Sequence, residues 1–198
     1  MNYILIGSLR SPFVRMIRLL LVTHNIPYEF KVIDYLENSN DAAFLKTQNP
    51  LNKIPILIAG ENKIYDSRVI FNYLTKQHIL LPLTLLQENV LTAVIGMLDV
   101  YVNLYLLKRG GLDTDSPSWY IDRQKARIAP ALNYILPWVK TLNPSTPTDW
   151  NFVSMTLYSF LYWARAREFL NLKDYPDLIE FLDKFKNAPG VEDTSFKA

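Results

Sequence analysis

Apolar and polar positions follow two rhythms in the first part of the chain. Tyr3-Ile4-Leu5-Ile6 is a short apolar run of the kind that makes a buried strand, and it stops at Gly7. Pro12 then opens an amphipathic helical segment over residues 12–24. Ser11 stands in front of it as an N-cap, and Pro12 suits the first turn, where a missing N–H loses no partner. Residues 28–33 alternate with period two and are rich in aromatic and β-branched side chains, which predicts a second strand. A short helix over 42–47, a third strand over 55–58, a tight turn at Glu61-Asn62 and a strand over 63–65 follow. Ser67 is read as the cap of a helix running to residue 77. The order β-α-β-α-β-β-α implies a parallel pair joined by a right-handed crossover and a terminal hairpin. The expected architecture is an α/β domain with a mixed four-stranded sheet.

Beyond residue 78 no strand rhythm recurs. Residues 79–86 read as a linker, and 87–198 as an all-helical domain. In the helix expected over 90–107, Leu91, Ile95, Leu98, Val102 and Tyr105 are spaced for one buried face, while Glu88, Thr92, Gly96, Asp99 and Asn103 form a small or polar stripe. That stripe is either a solvated face or the border of a cleft or subunit interface. Gly110-Gly111 breaks the helix. A second long helix is expected over 119–140, kinked or cut short by Pro130 and Pro137, and further helices over 152–169 and 176–186.

Composition narrows the class. Hydrophobic residues at 49% and charged residues at 20% fit a folded domain. A net charge of +2, with no run of Lys or Arg, gives no footprint for nucleic acid. The absence of cysteine excludes disulfides, thiolate-bound metals and a protein thiol nucleophile. No secretory leader pattern is visible at the N-terminus, and the most apolar stretch, 94–107, contains Asp99 and Asn103 and reads as too short for a membrane span. A cytoplasmic protein without membrane or nucleic-acid partners is expected.

Three local motifs carry candidate chemistry. Ser11-Pro12-Phe13-Val14-Arg15 puts a hydroxyl at a helix start, where outward N–H groups and the helix dipole favour an anion. A bound thiol there would be pushed toward thiolate; a plain N-cap is the other reading. Asn49-Pro50-Leu51-Asn52-Lys53-Ile54-Pro55 places an X-Pro bond before a strand. It is either an ordinary turn or a cis peptide that turns the Ile54 main chain toward an extended ligand. Asp66-Ser67 opens a helix and is either a cap or a grip for the amino and carboxylate groups of a small ligand.

In order and spacing these motifs resemble the glutathione transferase family, closely through residue 74 and loosely in the helical part. Ser-Pro-Phe-Val-Arg is similar to the serine-type members, especially the plant tau class and small bacterial relatives. Residues 49–55 resemble the family's N-P-x-x-x-[VI]-P, whose proline is cis, and Asp66-Ser67 resembles its E-S pair, with Asp in place of Glu. The resemblance implies a thioredoxin-like N-terminal domain over 1–78 and a helical domain bearing the second-substrate site. It implies glutathione as co-substrate, no metal, a small hydrophobic electrophile as partner, and a homodimer. By it, Ser11 stabilises the glutathione thiolate, Ile54 pairs with the cysteinyl unit, Asp66 and Ser67 hold the γ-glutamyl end, and Lys53 is a candidate for the glycine carboxylate. Tyr101, Tyr105, Trp119 and Trp163 are candidates for the second substrate by position and chemistry, against core packing as their other role. Residues 151–154 resemble the family's S/T-x-x-D capping box with Ser154 replacing Asp, so a weaker cap is expected. The implied activity is glutathione conjugation; a non-catalytic binding module on the same fold is the alternative, and a reductase is disfavoured by the missing cysteine.

Overall fold

In the computed structural model, which describes residues 2–36 and 38–196, the apolar runs of the first part become the two central strands of a sheet. The elements are β1 (Tyr3–Gly7), α1 (Pro12–Thr23), β2 (Tyr28–Val32), α2 (Ser39–Gln48), β3 (Ile56–Ala59), β4 (Asn62–Tyr65) and α3 (Ser67–His78). Strand order is β2-β1-β3-β4. β1 runs parallel to β2, with Tyr3 opposite Tyr28, and antiparallel to β3, with Ile6 opposite Ile56; β3 and β4 form the hairpin. The central strands, YILIG and ILIA, are almost entirely apolar because both their faces are covered. The edge strands carry Glu29, Lys31 and Lys63, charges that discourage pairing with another chain. Ile4, Ile6, Ile56 and Ile58 cluster with Phe44 and Leu45 of α2. The alternate residues Leu5 and Leu57, fully buried, point to the opposite face. The thioredoxin-like reading of this part holds.

The remainder is helical: α4 (Leu85–Arg109), α5 (Trp119–Lys125), α6 (Ile128–Thr141), α7 (Phe152–Ala166) and α8 (Pro176–Phe185), with short 3₁₀ turns at Pro147–Asp149 and Leu172–Asp174. α4 packs against α6 and α7, and α8 packs against the same two helices. α7 is buried along almost its whole length, which its apolar sequence permits on every side.

Four details differ from the sequence reading. α4 begins earlier, behind a capping box of Thr84 and Gln87. At 25 residues it is long and apolar enough to cross a membrane by length and composition, although it serves here as a core helix. Its buried residues are Val90, Leu91, Val94, Met97, Leu98, Val100, Tyr101 and Leu104; Leu91 and Leu98 are buried as expected, whereas Ile95, Val102 and Tyr105 are only half-buried. Both stripes have helical spacing, and only the position of α6 and α7 chooses between them.

The long helix expected over 119–140 is two helices, broken at Ala126–Arg127 rather than at either proline. Pro130 falls in the first turn of α6, where its missing N–H would have had no partner, and so forces the break upstream. Pro137 lies inside α6. Asp66, not Ser67, is the N-cap of α3.

The fourth difference concerns the end of the chain. The chain divides into two units, one made of Met1–Pro82 with Lys186–Ala198 and the other of Leu83–Phe185. The segment after α8, read from sequence as the end of the helical domain, returns to the thioredoxin-like unit. The physical reason lies in α1, where the buried Arg15 and Arg18 side chains find acceptors on that segment.

Candidate functional site

Because β1, β2 and β4 share one direction and β3 opposes them, the ends of β1, β2 and β4 and the start of β3 lie along one edge of the sheet. The loops leaving that edge carry Ser11, Ile54, Asp66 and Ser67. The topology therefore gathers the three predicted motifs, separated by tens of residues in sequence, onto one side of one unit.

Ser11 is the N-cap of α1, with extended backbone and a half-buried side chain. Its Oγ accepts from the Val14 N–H at 3.3 Å, and its carbonyl accepts from the Arg15 N–H at 3.0 Å. Gly7 makes this approach of helix to strand possible: a Cβ there would stand 2.4 Å from Val14 Cγ2. The hydroxyl hydrogen of Ser11 takes no part in the cap, so the group can accept from its helix and donate outward at once.

The peptide bond between Ile54 and Pro55 is cis, the form that the family resemblance implies, and not the ordinary turn that the residues alone also allowed. Ile54 stands outside the sheet ladder, which ends at the Ile56–Tyr65 pair. The loop before it is braced by a residue that the sequence reading noted only as the start of the motif. Buried Asn49 donates from Nδ2 to the Lys53 carbonyl at 2.7 Å and accepts from the Leu51 N–H at 2.9 Å. The sign available in the sequence was an Asn just past a helix end, a residue type whose side chain bonds nearby backbone. Lys53 itself is exposed.

Asp66 adopts φ +70° and ψ 133°, a conformation that costs a side-chain-bearing residue about 1–3 kcal/mol and collects at functional sites. Its Oδ1 accepts from the Arg68 N–H at 2.8 Å and the Val69 N–H at 3.3 Å, and Oδ2 lies outside those bonds. Ser67, the first helical residue, is buried. An exposed carboxylate beside the N–H groups of a helix start can meet an amine and a carboxylate of one ligand together. A further ion pair on this edge, Arg10 to Asp34 at 2.8 Å, is partly exposed and was not singled out from sequence.

Three of the four aromatic candidates in the helical unit meet. Tyr105 lies edge-on to Trp163 at 5.9 Å, Tyr101 lies 5.8 Å from Phe160, and Phe169 touches all three candidates at 5.6–6.4 Å. The Arg167 guanidinium lies over Tyr105 and Trp163 at 5.0 and 5.2 Å. Tyr101 and Trp163 are buried, and burial, helped by Tyr175, pushes the Tyr101 hydroxyl up to about 12. Tyr105 is half-buried. Trp119 stands apart, 76% exposed at the start of α5 with Arg123 over its ring. Phe169, the centre of this cluster, was read as the last residue of a helix over 152–169 but lies just past the end of α7 at Ala166. Of the polar stripe on α4, Thr92, Gly96, Asp99 and Asn103 are exposed and Glu88 is half-buried. Among the described residues no group of three or more His, Asp or Glu side chains is placed to hold a metal ion.

A mixed sheet of this order, with two helix starts and a cis-proline loop along one edge and a helical unit after it, defines a glutathione transferase architecture. Residues 5–80 match the family described as glutathione S-transferase, N-terminal domain. Residues 5–80 thus carry a glutathione S-transferase N-terminal domain, and the fold of the chain is the one that solved glutathione S-transferases share. Over 77 residues it is 35% identical to the uncharacterised GST-like protein YibF of Escherichia coli K12, a match spanning 38% of this chain and 36% of that protein. Across its whole length it superposes on a glutathione S-transferase of Methylobacterium radiotolerans in complex with glutathione sulfonate. The TM-score is 0.85 at 22% identity, covering 100% of this chain and 96% of that one. A glutathione S-transferase of Methylobacillus flagellatus with glutathione bound gives 0.82 at 20% identity, covering 98% of each chain.

Proposed function

We propose that the protein binds glutathione along the sheet edge and transfers its sulfur to a small, hydrophobic electrophile. The observation that carries this reading is the convergence of Ser11, the Ile54 main chain and Asp66-Ser67 on one edge, each presenting the group its part of the tripeptide needs. The γ-glutamyl end meets the Asp66 carboxylate and the α3 N-terminus. The cysteinyl unit pairs with the main chain of Ile54, which stands outside the ladder. Its thiol then lies toward Ser11, where the hydroxyl and the α1 dipole both favour the anion. Lys53, exposed on the same loop, meets the glycine carboxylate. Solved proteins of this fold that carry glutathione or its sulfonate support the choice of ligand.

In this scheme Ser11 activates rather than attacks. The thiolate sulfur displaces a leaving group or adds to an unsaturated carbon of the electrophile, and the protein lowers the thiol pKa and holds the reactants together. Of the four aromatic candidates for the electrophile, Tyr105 and Trp119 keep accessible surface, whereas Tyr101 and Trp163 serve the core. The protein acts in the cytoplasm as a homodimer; a sedimentation experiment at micromolar concentration that finds only monomer refutes the dimer.

The decisive experiment titrates the protein with glutathione by calorimetry, follows thiolate absorbance of the complex against pH, and measures turnover of a panel of electrophiles. Saturable binding, a lowered thiol pKa and turnover of at least one electrophile are expected. Binding without a pKa shift or turnover would make the protein a glutathione-binding module, and absence of binding would overturn the reading.

A further inference from the structure

We propose that the segment after α8 is a strap that positions Ser11, and that Arg15 is the positioning residue through which it acts. The strap runs antiparallel to α1 within the thioredoxin-like unit. At the far end of the helix, the Thr23 hydroxyl donates to the Pro189 carbonyl at 3.3 Å. Gly190, at φ +81°, lies so close that a Cβ would meet Val22 at 3.1 Å. One turn nearer the site, Arg18 Nη2 donates to the Asp193 carbonyl at 2.9 Å. At the near end, Arg15 Nε donates to the Thr194 hydroxyl and Nη2 to the Val191 carbonyl, both at 3.2 Å. Arg15 and Thr194 are both buried, at 1% and 0% exposure.

Arg15 is also where α1 holds Ser11. Its N–H donates to the Ser11 carbonyl, and the preceding N–H, that of Val14, donates to Ser11 Oγ. Strap, guanidinium and cap therefore form one continuous path of hydrogen bonds and a single helical turn. A helix that needed only to be stable would not put a cation here. Positive charge near a helix N-terminus opposes the dipole, and burying it costs solvation that only good acceptors offset. The strap provides those acceptors, so the first turn of α1 keeps its geometry only while the strap is seated.

The thiol part of this inference rests on the proposed binding of glutathione, so the test has one arm with the ligand and one without. Thr194→Val keeps the buried shape and removes the acceptor of Arg15 Nε; Arg15→Lys keeps the charge and loses the fork. Without ligand, amide exchange by NMR reads the Val14 and Arg15 N–H groups against Ile70 in α3. Thr194→Val should speed exchange at Val14 and Arg15 by about tenfold or more, the factor that goes with losing one hydrogen bond to a charged group, and leave Ile70 within about twofold. Equal acceleration at all three sites would mean general destabilisation and would overturn the proposal, as would no change.

With glutathione, Thr194→Val and Arg15→Lys should raise the thiol pKa of the complex while affinity stays within about twofold. In a Ser11→Ala background, Thr194→Val should shift that pKa no further, because the strap acts through Ser11. An undiminished shift there would also overturn the proposal. If glutathione does not bind, the functional reading fails by itself, and the exchange arm still decides the strap.

Discussion

Ser11→Ala separates the two duties assigned to one hydroxyl. As a cap, Ser11 Oγ accepts from Val14 N–H at 3.3 Å, beyond the best range for such bonds, so the loss belongs at the low end of capping energies, about 0.5–1 kcal/mol. As a donor to a bound thiolate it makes a hydrogen bond to a charged group, of about 1.5–3 kcal/mol. At about 1.4 kcal/mol per pKa unit, its removal raises the thiol pKa by about one to two units. At a pH below that pKa, turnover should fall about tenfold or more. Affinity for glutathione should change little, since Ile54, Asp66 and Ser67 retain their contacts. Ser11→Asp sharpens the test: the carboxylate caps α1 as well as Ser does but repels the thiolate. Stability near wild type with turnover lost is the expected outcome for Asp. The assay is thiolate absorbance of the complex against pH, beside steady-state turnover and thermal melting. An unchanged thiol pKa in Ser11→Ala, or an active Ser11→Asp enzyme, would leave Ser11 as a cap and nothing more.

Three predictions concern the scaffold. Gly7→Ala drives a Cβ to 2.4 Å from Val14 Cγ2 and should cost about 1–3 kcal/mol in chemical denaturation; a loss well under 1 kcal/mol would show that the strand and helix can part freely. Ser154→Ala removes the acceptor of the Asn151 N–H at 2.9 Å and the hydroxyl donated to the Asp149 carbonyl, at a cost of about 2 kcal/mol. Ser154→Asp should not recover that loss, because a buried carboxylate cannot donate; a melting temperature restored by Asp would contradict this account of the cap. Desolvation of the imidazole and, second, nearby His78 hold the His24 pKa below its ordinary 6.5. The unfolded chain then takes up the proton first, so the contribution of His24 is full above pH 6.5 and is lost as pH falls through the lowered folded value. The urea midpoint should drop between about pH 7.5 and about pH 5.5, and His24→Asn should flatten that drop.

The sequence by itself determined what depends on neighbours along the chain. The apolar runs at residues 3–6 and 56–58 are strands because each is short, continuous and bounded by turn residues. Ser11-Pro12 starts a helix because a hydroxyl acceptor followed by a residue without an N–H suits a helix end and little else. The residues around Ile54-Pro55 left an ordinary turn and a cis bond both open, and only the family resemblance of the motif favoured the cis form that the structure has. Tertiary structure decided everything that depends on partners far away. Two stripes of α4 share one periodicity, and the burial of Tyr101 in place of Ile95, Val102 or Tyr105 followed from where α6 and α7 pack. Asp66, at φ +70°, took the capping role from Ser67, a backbone state that no local pattern announced. Phe169, expected at the end of a helix, became the centre of a ring cluster from a position beyond that helix. Above all, Arg15 and Arg18 read as ordinary members of an amphipathic helix, yet they are buried against a segment more than 170 residues away in sequence. A pattern along one helix can say which residues avoid water; it cannot say which distant carbonyl replaces it.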